Sequence, residues 1–92
     1  MVSNEDIQRL LRSKGYSGEE LVPMLVRMRL LITLREHIEN RKWSQAQVAE
    51  LLDVRQPRVS EILRLQIEKF STELLLRYAR RLGFRIKLEI SI

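Results

Sequence analysis

Apolar residues recur at helical spacing through most of this chain and then, after Gly83, switch to strict alternation. Ile7, Leu10 and Leu11 form an i, i+3, i+4 stripe. Ser3 stands as an N-cap before Glu5 and Asp6, which predicts a short helix over 3–14. The stretch Lys14-Gly15-Tyr16-Ser17-Gly18 ends it as a loop. A longer helix comes next, from about Glu20 to Arg41, with Pro23 in its first turn, where no N–H is needed. Its apolar positions include Leu21, Leu25, Met28, Leu31, Ile32, Leu34 and Ile38. That apolar share calls for two packing neighbours or a partner chain.

Ser44-Gln45-Ala46-Gln47 is a capping box and opens a third helix to Leu52. Asp53-Val54-Arg55 breaks the pattern, and Pro57 fits the first position of a fourth helix through about Arg64. Phe70-Ser71-Thr72-Glu73 reads as the start of a fifth, with Leu74, Leu75, Tyr78, Ala79 and Leu82 inward and Gly83 beyond its end. From there Phe84, Ile86, Leu88, Ile90 and Ile92 face one way, and Arg85, Lys87, Glu89 and Ser91 the other, which predicts a half-buried strand. No other segment alternates, so this strand has no partner within the chain. An unpaired strand leaves its backbone groups open. The economical solution is the same strand of a second copy, antiparallel about a two-fold axis near Leu88; a frayed tail, or pairing with a different protein, is the alternative. The expected fold is therefore mainly α: five helices and a short C-terminal β-strand that pairs across a homodimer through Phe84, Ile86, Leu88, Ile90 and Ile92.

Ninety-two residues make one domain, divided here as an N-terminal helix and loop (1–18), a helical body (19–83) and the strand (84–92). There is no cysteine and a single histidine, His37. Disulfides, thiolate zinc sites, a cysteine nucleophile and a multi-histidine metal site are thereby excluded. His37 reads as a surface residue of the second helix, Trp43 as a partly buried packing residue, and Met24 and Met28 as core. No nucleophile–base pair or Gly-rich phosphate loop is visible, so neither an enzyme nor a cofactor is expected. Without an apolar run of membrane length or a secretory start, the expectation is a cytoplasmic protein.

The informative window is Gln45 to Arg64. Two short helices are joined by a tight turn, with Val48, Leu52, Val54, Val59 and Ile62 inward. Ala49 provides the small residue that two closely crossing helices need. Asp53 stands at a turn position that favours positive φ, which Gly, Asn and Asp tolerate best. This is a helix-turn-helix pattern. The strings Ser44-Gln45 to Val48-Ala49, Leu52-Asp53-Val54 and Gln56-Pro57-Arg58-Val59-Ser60 resemble the phage-repressor-like (XRE-type) helix-turn-helix proteins. From Arg35 to Leu88 the chain resembles the small HigA-type antitoxins within that group, through Leu34-Arg35-Glu36, Glu68-Lys69-Phe70-Ser71 and Tyr78-Ala79-Arg80-Arg81-Leu82-Gly83. The resemblance implies that Gln45 bonds a DNA phosphate. It also implies that Gln56, Pro57, Arg58, Ser60 and Glu61 line the half of the recognition helix that enters the major groove. Gln56 can bond adenine or orient Gln45, and Arg58 can take guanine or a phosphate. Arg55 and Ser60 suit backbone contacts, and Arg64 a flanking phosphate. Leu65 departs from the family's usual glycine, so the fourth helix is expected to run on or to end without a left-handed cap.

The implied function is a sequence-specific repressor that binds a palindromic operator in double-stranded DNA. It would be the antitoxin of a type II module, neutralising a cognate ribonuclease toxin and repressing its own operon. A stand-alone regulator of the same fold, and an interaction module that has lost DNA binding, are the alternatives. The net charge of +5 does not choose between them. Residues 41–64 hold five bases and three acids, whereas the densest cluster is Arg77, Arg80, Arg81, Arg85 and Lys87. A chain ending at Gly83 tests the dimer. It should sediment as a monomer at concentrations where the full chain is dimeric.

Overall fold

The structure, a computed structural model, describes residues 2–92. Five helices occur in order: α1 (Asn4–Ser13), α2 (Leu21–Asn40), α3 (Gln45–Leu52), α4 (Gln56–Leu63) and α5 (Thr72–Arg81). Two 3-10 turns, Gly18–Glu20 and Ile67–Lys69, precede α2 and α5. Side-chain caps start three of the helices. Ser3 and Asp6 form a reciprocal capping box on α1, Ser44 and Gln47 form one on α3, and Ser71 accepts from the Leu74 amide on α5. Each such cap stabilises its helix by about 1 kcal/mol. Pro57 is the second residue of α4, one place later than its spacing alone suggested.

The long helix α2 lies at the centre. It packs against α1, α4, α5 and both 3-10 turns, while α3 packs against α4 and α5. Met28, Leu31, Ile32, Leu34 and Ile38 of α2 are buried, as its apolar share required. Ile7 and Leu11 of α1 are fully buried too, so the N-terminal helix is part of the one core. Among the described residues the core holds no polar or charged residue.

All five helices end the same way. A residue with positive φ comes after the last turn, and the next amide reaches back to a carbonyl five residues earlier, at 2.9–3.3 Å. This is the Schellman geometry, which satisfies carbonyls left open at a helix end. Gly15 and Gly83 suit it. Lys42, Asp53 and Leu65 adopt it with φ near +55° despite carrying side chains. Leu65 therefore corrects the expectation of a fourth helix without a left-handed cap. α4 stops at Leu63, and Leu65 takes the left-handed conformation itself, because Gln66 N–H bonds Glu61 C=O at 3.1 Å and Leu65 packs against the core.

The C-terminal strand is the larger correction. Among the described residues there is no strand, and the chain beyond Gly83 runs in open coil. The helices offer no free sheet edge, so nothing within one copy can pair with this backbone. Leu88 and Ile90 are more than 80% exposed, and only Phe84 packs against the core.

Lys42 is exposed and left-handed, a conformation that disfavours any residue with a Cβ by about 1–2 kcal/mol. Glycine removes that strain but makes the unfolded chain looser, by roughly half as much. Lys42→Gly should thus raise the unfolding free energy by about 0.5–1 kcal/mol in urea titrations at unchanged m-value.

Candidate nucleic-acid interface

The α3–turn–α4 unit is held from inside and from its ends. Val48, Ala49, Leu52, Val59 and Ile62 are buried, and Asp53 makes the turn at φ 56°, ψ 50°. Arg81 of α5 donates to the Leu52 carbonyl at the end of α3. Arg35 of α2 lies 3.5 Å from the Leu63 carbonyl at the end of α4. Each motif helix thus has a cation at its C-terminus, where the helix dipole favours one. These two arginines tie the ends of the motif helices to α2 and α5.

The predicted site residues fall into two groups. Gln45 at the start of α3, and Arg55, Gln56, Pro57 and Arg64 on or beside α4, are exposed. Gln56, Ser60 and Arg64 lie at i, i+4 spacing and so share one face of α4, with Arg64 Nε 3.4 Å from the Ser60 carbonyl. Arg58 and Glu61 belong elsewhere. The Arg58 guanidinium sits 4.2 Å from the centre of the Phe70 ring and 3.3 Å from a Glu61 oxygen. The other Glu61 oxygen meets Lys69 Nζ at 2.7 Å. Glu61 is 17% exposed, so this is a partly shielded network of two cations, one carboxylate and an aromatic face.

That network redefines Glu61. Its carboxyl is held below the usual carboxylate range, chiefly by the hydrogen bond from Lys69, with Arg58 adding to it against some desolvation. Glu61 orders the positive residues beside the recognition helix. Sequence reasoning missed Lys69, Phe70, Arg35 and Arg81 as supports of the site, because their partners lie in other elements. The aromatic residue after the second 3-10 turn was the one available signal.

The arginine-rich cluster near the C-terminus is also partly committed. Arg77 pairs with Glu73 at 2.7 Å, Arg80 bonds the Phe84 carbonyl at 3.0 Å, and Arg81 closes α3. His37 is half-buried rather than on the surface. Its ring lies between Trp43 and Phe84, with centroids 5.4 and 4.5 Å away, and Nε2 is 3.2 Å from the Leu82 carbonyl.

Two short helices joined by a left-handed turn, the second with an exposed polar row, define a helix-turn-helix protein. A family model described as "Helix-turn-helix domain" matches residues 17–91, and the chain belongs to that family. Membership points to a DNA-binding regulator with DNA as its partner. No match was found among curated proteins. No helix among the described residues is long and apolar enough to cross a membrane, and these residues contain no acid–histidine cluster able to hold a metal ion.

A depressed carboxyl contributes stability above its ordinary value of 4.5 and loses it as the pH falls through the lowered one. Asp6, lowered mainly by its hydrogen bonds to Ser3, titrates in the same direction. Glu61→Gln should therefore be less stable than the parent at about pH 7. The gap should narrow as the pH falls through the lowered value, because both chains then come to carry a neutral group. Urea midpoints followed from neutral pH into acid measure this, and a gap that does not narrow would assign the effect to shape rather than charge.

Proposed function

We propose that this protein is a sequence-specific DNA-binding repressor acting as a homodimer on a palindromic operator. The observation that carries the reading is the polar row Gln56, Ser60 and Arg64 on one face of α4, with Gln56 and Arg64 exposed. It lies beside an Arg58 already oriented by Phe70 and Glu61. An arginine already packed against a ring and paired with a carboxylate loses less freedom when it meets a base. Bidentate pairing to guanine O6 and N7 is the commonest specific contact of that kind. Gln56 is placed to take adenine, and Gln45 at the α3 N-terminus to take a phosphate. Arg55, Ser60 and Arg64 take the flanking backbone. Pro57 starts the helix without needing a backbone partner, and Glu61 acts through Arg58 and Lys69.

In a two-fold dimer two such helices meet half-sites about one turn of DNA apart, so the operator is palindromic for the same reason that the dimer is symmetric. The resemblance to the HigA-type antitoxins supports placing the chain in a toxin–antitoxin module, as autoregulator and partner of a ribonuclease toxin. A stand-alone regulator of the same fold would have the same DNA surface. An adjacent reading frame encoding a small basic ribonuclease, and capture of its product on co-expression, would separate the two.

Fluorescence anisotropy on the DNA upstream of the chain's own reading frame tests the DNA surface. Arg58→Ala should weaken binding to the operator by about 1–3 kcal/mol and leave non-specific DNA nearly unchanged. An equal loss on all sequences would make Arg58 a phosphate contact. Unaltered binding on every DNA would remove it from the interface.

A further inference from the structure

The segment after Gly83 and a hollow on the outer face of α3 are unfinished in complementary ways. The segment leaves Ile86, Leu88, Ile90 and Ile92 exposed. The hollow, about 350 Å³, is lined by Trp43, Gln47, Glu50 and Leu51, with Leu51 45% exposed. The two are linked through His37, which touches both Trp43 and Phe84, the root of the segment. Building on the homodimer reading, we propose that two copies pair residues 84–92 antiparallel in the single register centred on Leu88. The end of each segment then seats its last isoleucine in the Trp43–Leu51 hollow of the other copy.

Charge selects the register. With Leu88 opposite its own copy, Lys87 faces Glu89 on both sides of the axis, Arg85 faces Ser91, and the apolar residues face one another. Opposite charges across a strand pair are favourable, and like charges directly opposite are not. Centring the pair on Lys87 sets two lysines face to face. Centring it on Ile86 sets Arg85 against Lys87, and centring it on Glu89 opposes two glutamates. A parallel pairing in register opposes every charge to its like. The Leu88 register avoids all of these conflicts and is the one that sets Lys87 against Glu89 on both sides of the axis.

The same register locates the segment's end. Ile92 falls opposite Phe84 of the other copy, beside its His37 and hence beside the Trp43 edge of the hollow. A two-stranded ribbon is marginal in water unless an apolar surface covers one face. Trp43 and Leu51 supply that surface. The apolar side of the ribbon faces that surface, and its polar side stays in water. Dimerisation then braces α3 directly and fixes the spacing of the two recognition helices.

The chain's own composition supplies the probes, since it has no cysteine and one tryptophan. Opposed Cα atoms in such a ribbon lie about 4.5–5.5 Å apart, within disulfide reach. Leu88→Cys should oxidise to a covalent dimer faster than Arg85→Cys, whose nearest opposite is Ser91. In the Leu88→Cys dimer, Ile92→Asp should shift Trp43 fluorescence to the red by re-exposing the hollow. A dimer in which the two cysteine variants oxidise alike overturns the register. One in which Ile92→Asp leaves Trp43 unmoved overturns the seating. Neither result touches the homodimer reading, whereas a full-length chain that sediments as a monomer at all concentrations overturns that reading as well.

Discussion

Burial of α2 is the constraint on which the rest of this fold depends. Its apolar residues cover more than one side, so a single neighbour would leave oily surface in water. In a chain of 92 residues the cover has to come from every other element that can reach it. The structure supplies α1, α4, α5 and two 3-10 turns. The recognition helix α4 is consequently part of the wall of the core, with Val59 and Ile62 sunk in it and Gln56 and Arg64 on the far side. A helix anchored on one face presents the other at a fixed angle, and groove reading needs that rigidity.

Wrapping one helix so closely requires short connections, and these impose the left-handed residues. Every helix must stop within a residue or two and turn back. The chain does this five times with the same hydrogen-bond pattern. At Lys42, Asp53 and Leu65 the tertiary packing outweighs the local strain. Trp43, Val54 and Leu65 drop onto the core at these three turns, and burying such side chains contributes about 1.5–3 kcal/mol each when complete. Partial burial on that scale offsets the strain of about 1–2 kcal/mol for one left-handed residue. The apolar side chains anchored at these turns hold them as firmly as the left-handed residues shape them.

The same packing explains which features the sequence disclosed and which it concealed. Helix starts were legible because Ser3, Ser44 and Ser71 bond amides only three residues ahead. The turn at Asp53 was legible because aspartate is a known occupant of that conformation. Leu65 was not, since a leucine there carries no local sign of positive φ; only the packed structure shows why it is tolerated. His37 looked like a surface residue because Phe84, which covers it, comes from the other end of the chain. The arginine cluster stood out because charge counting cannot see carbonyls, and Arg80 and Arg81 donate to those of Phe84 and Leu52. The alternation after Gly83 is a pattern without a strand in the single copy. It states what the backbone requires, and one copy of the chain cannot provide it.

The arrangement around α4 bears on how such a small protein can be selective. Free cations on a recognition helix attract all DNA alike, because phosphate attraction is blind to sequence. Here the cation nearest the middle of α4 is balanced by Glu61, and Lys69 shares the same carboxylate. Balancing lowers the indiscriminate part of the attraction without removing the guanidinium from the surface. Phe70 lies against that guanidinium, and on the proposed reading this reduces the freedom it loses on meeting a base edge. Arg55 and Arg64, exposed at either end of α4 and outside that network, would on the same reading supply the unspecific pull. On that reading one helix separates the two parts of binding along its length, with reading in the middle and attraction at the ends, and a modest net charge on the motif fits that arrangement.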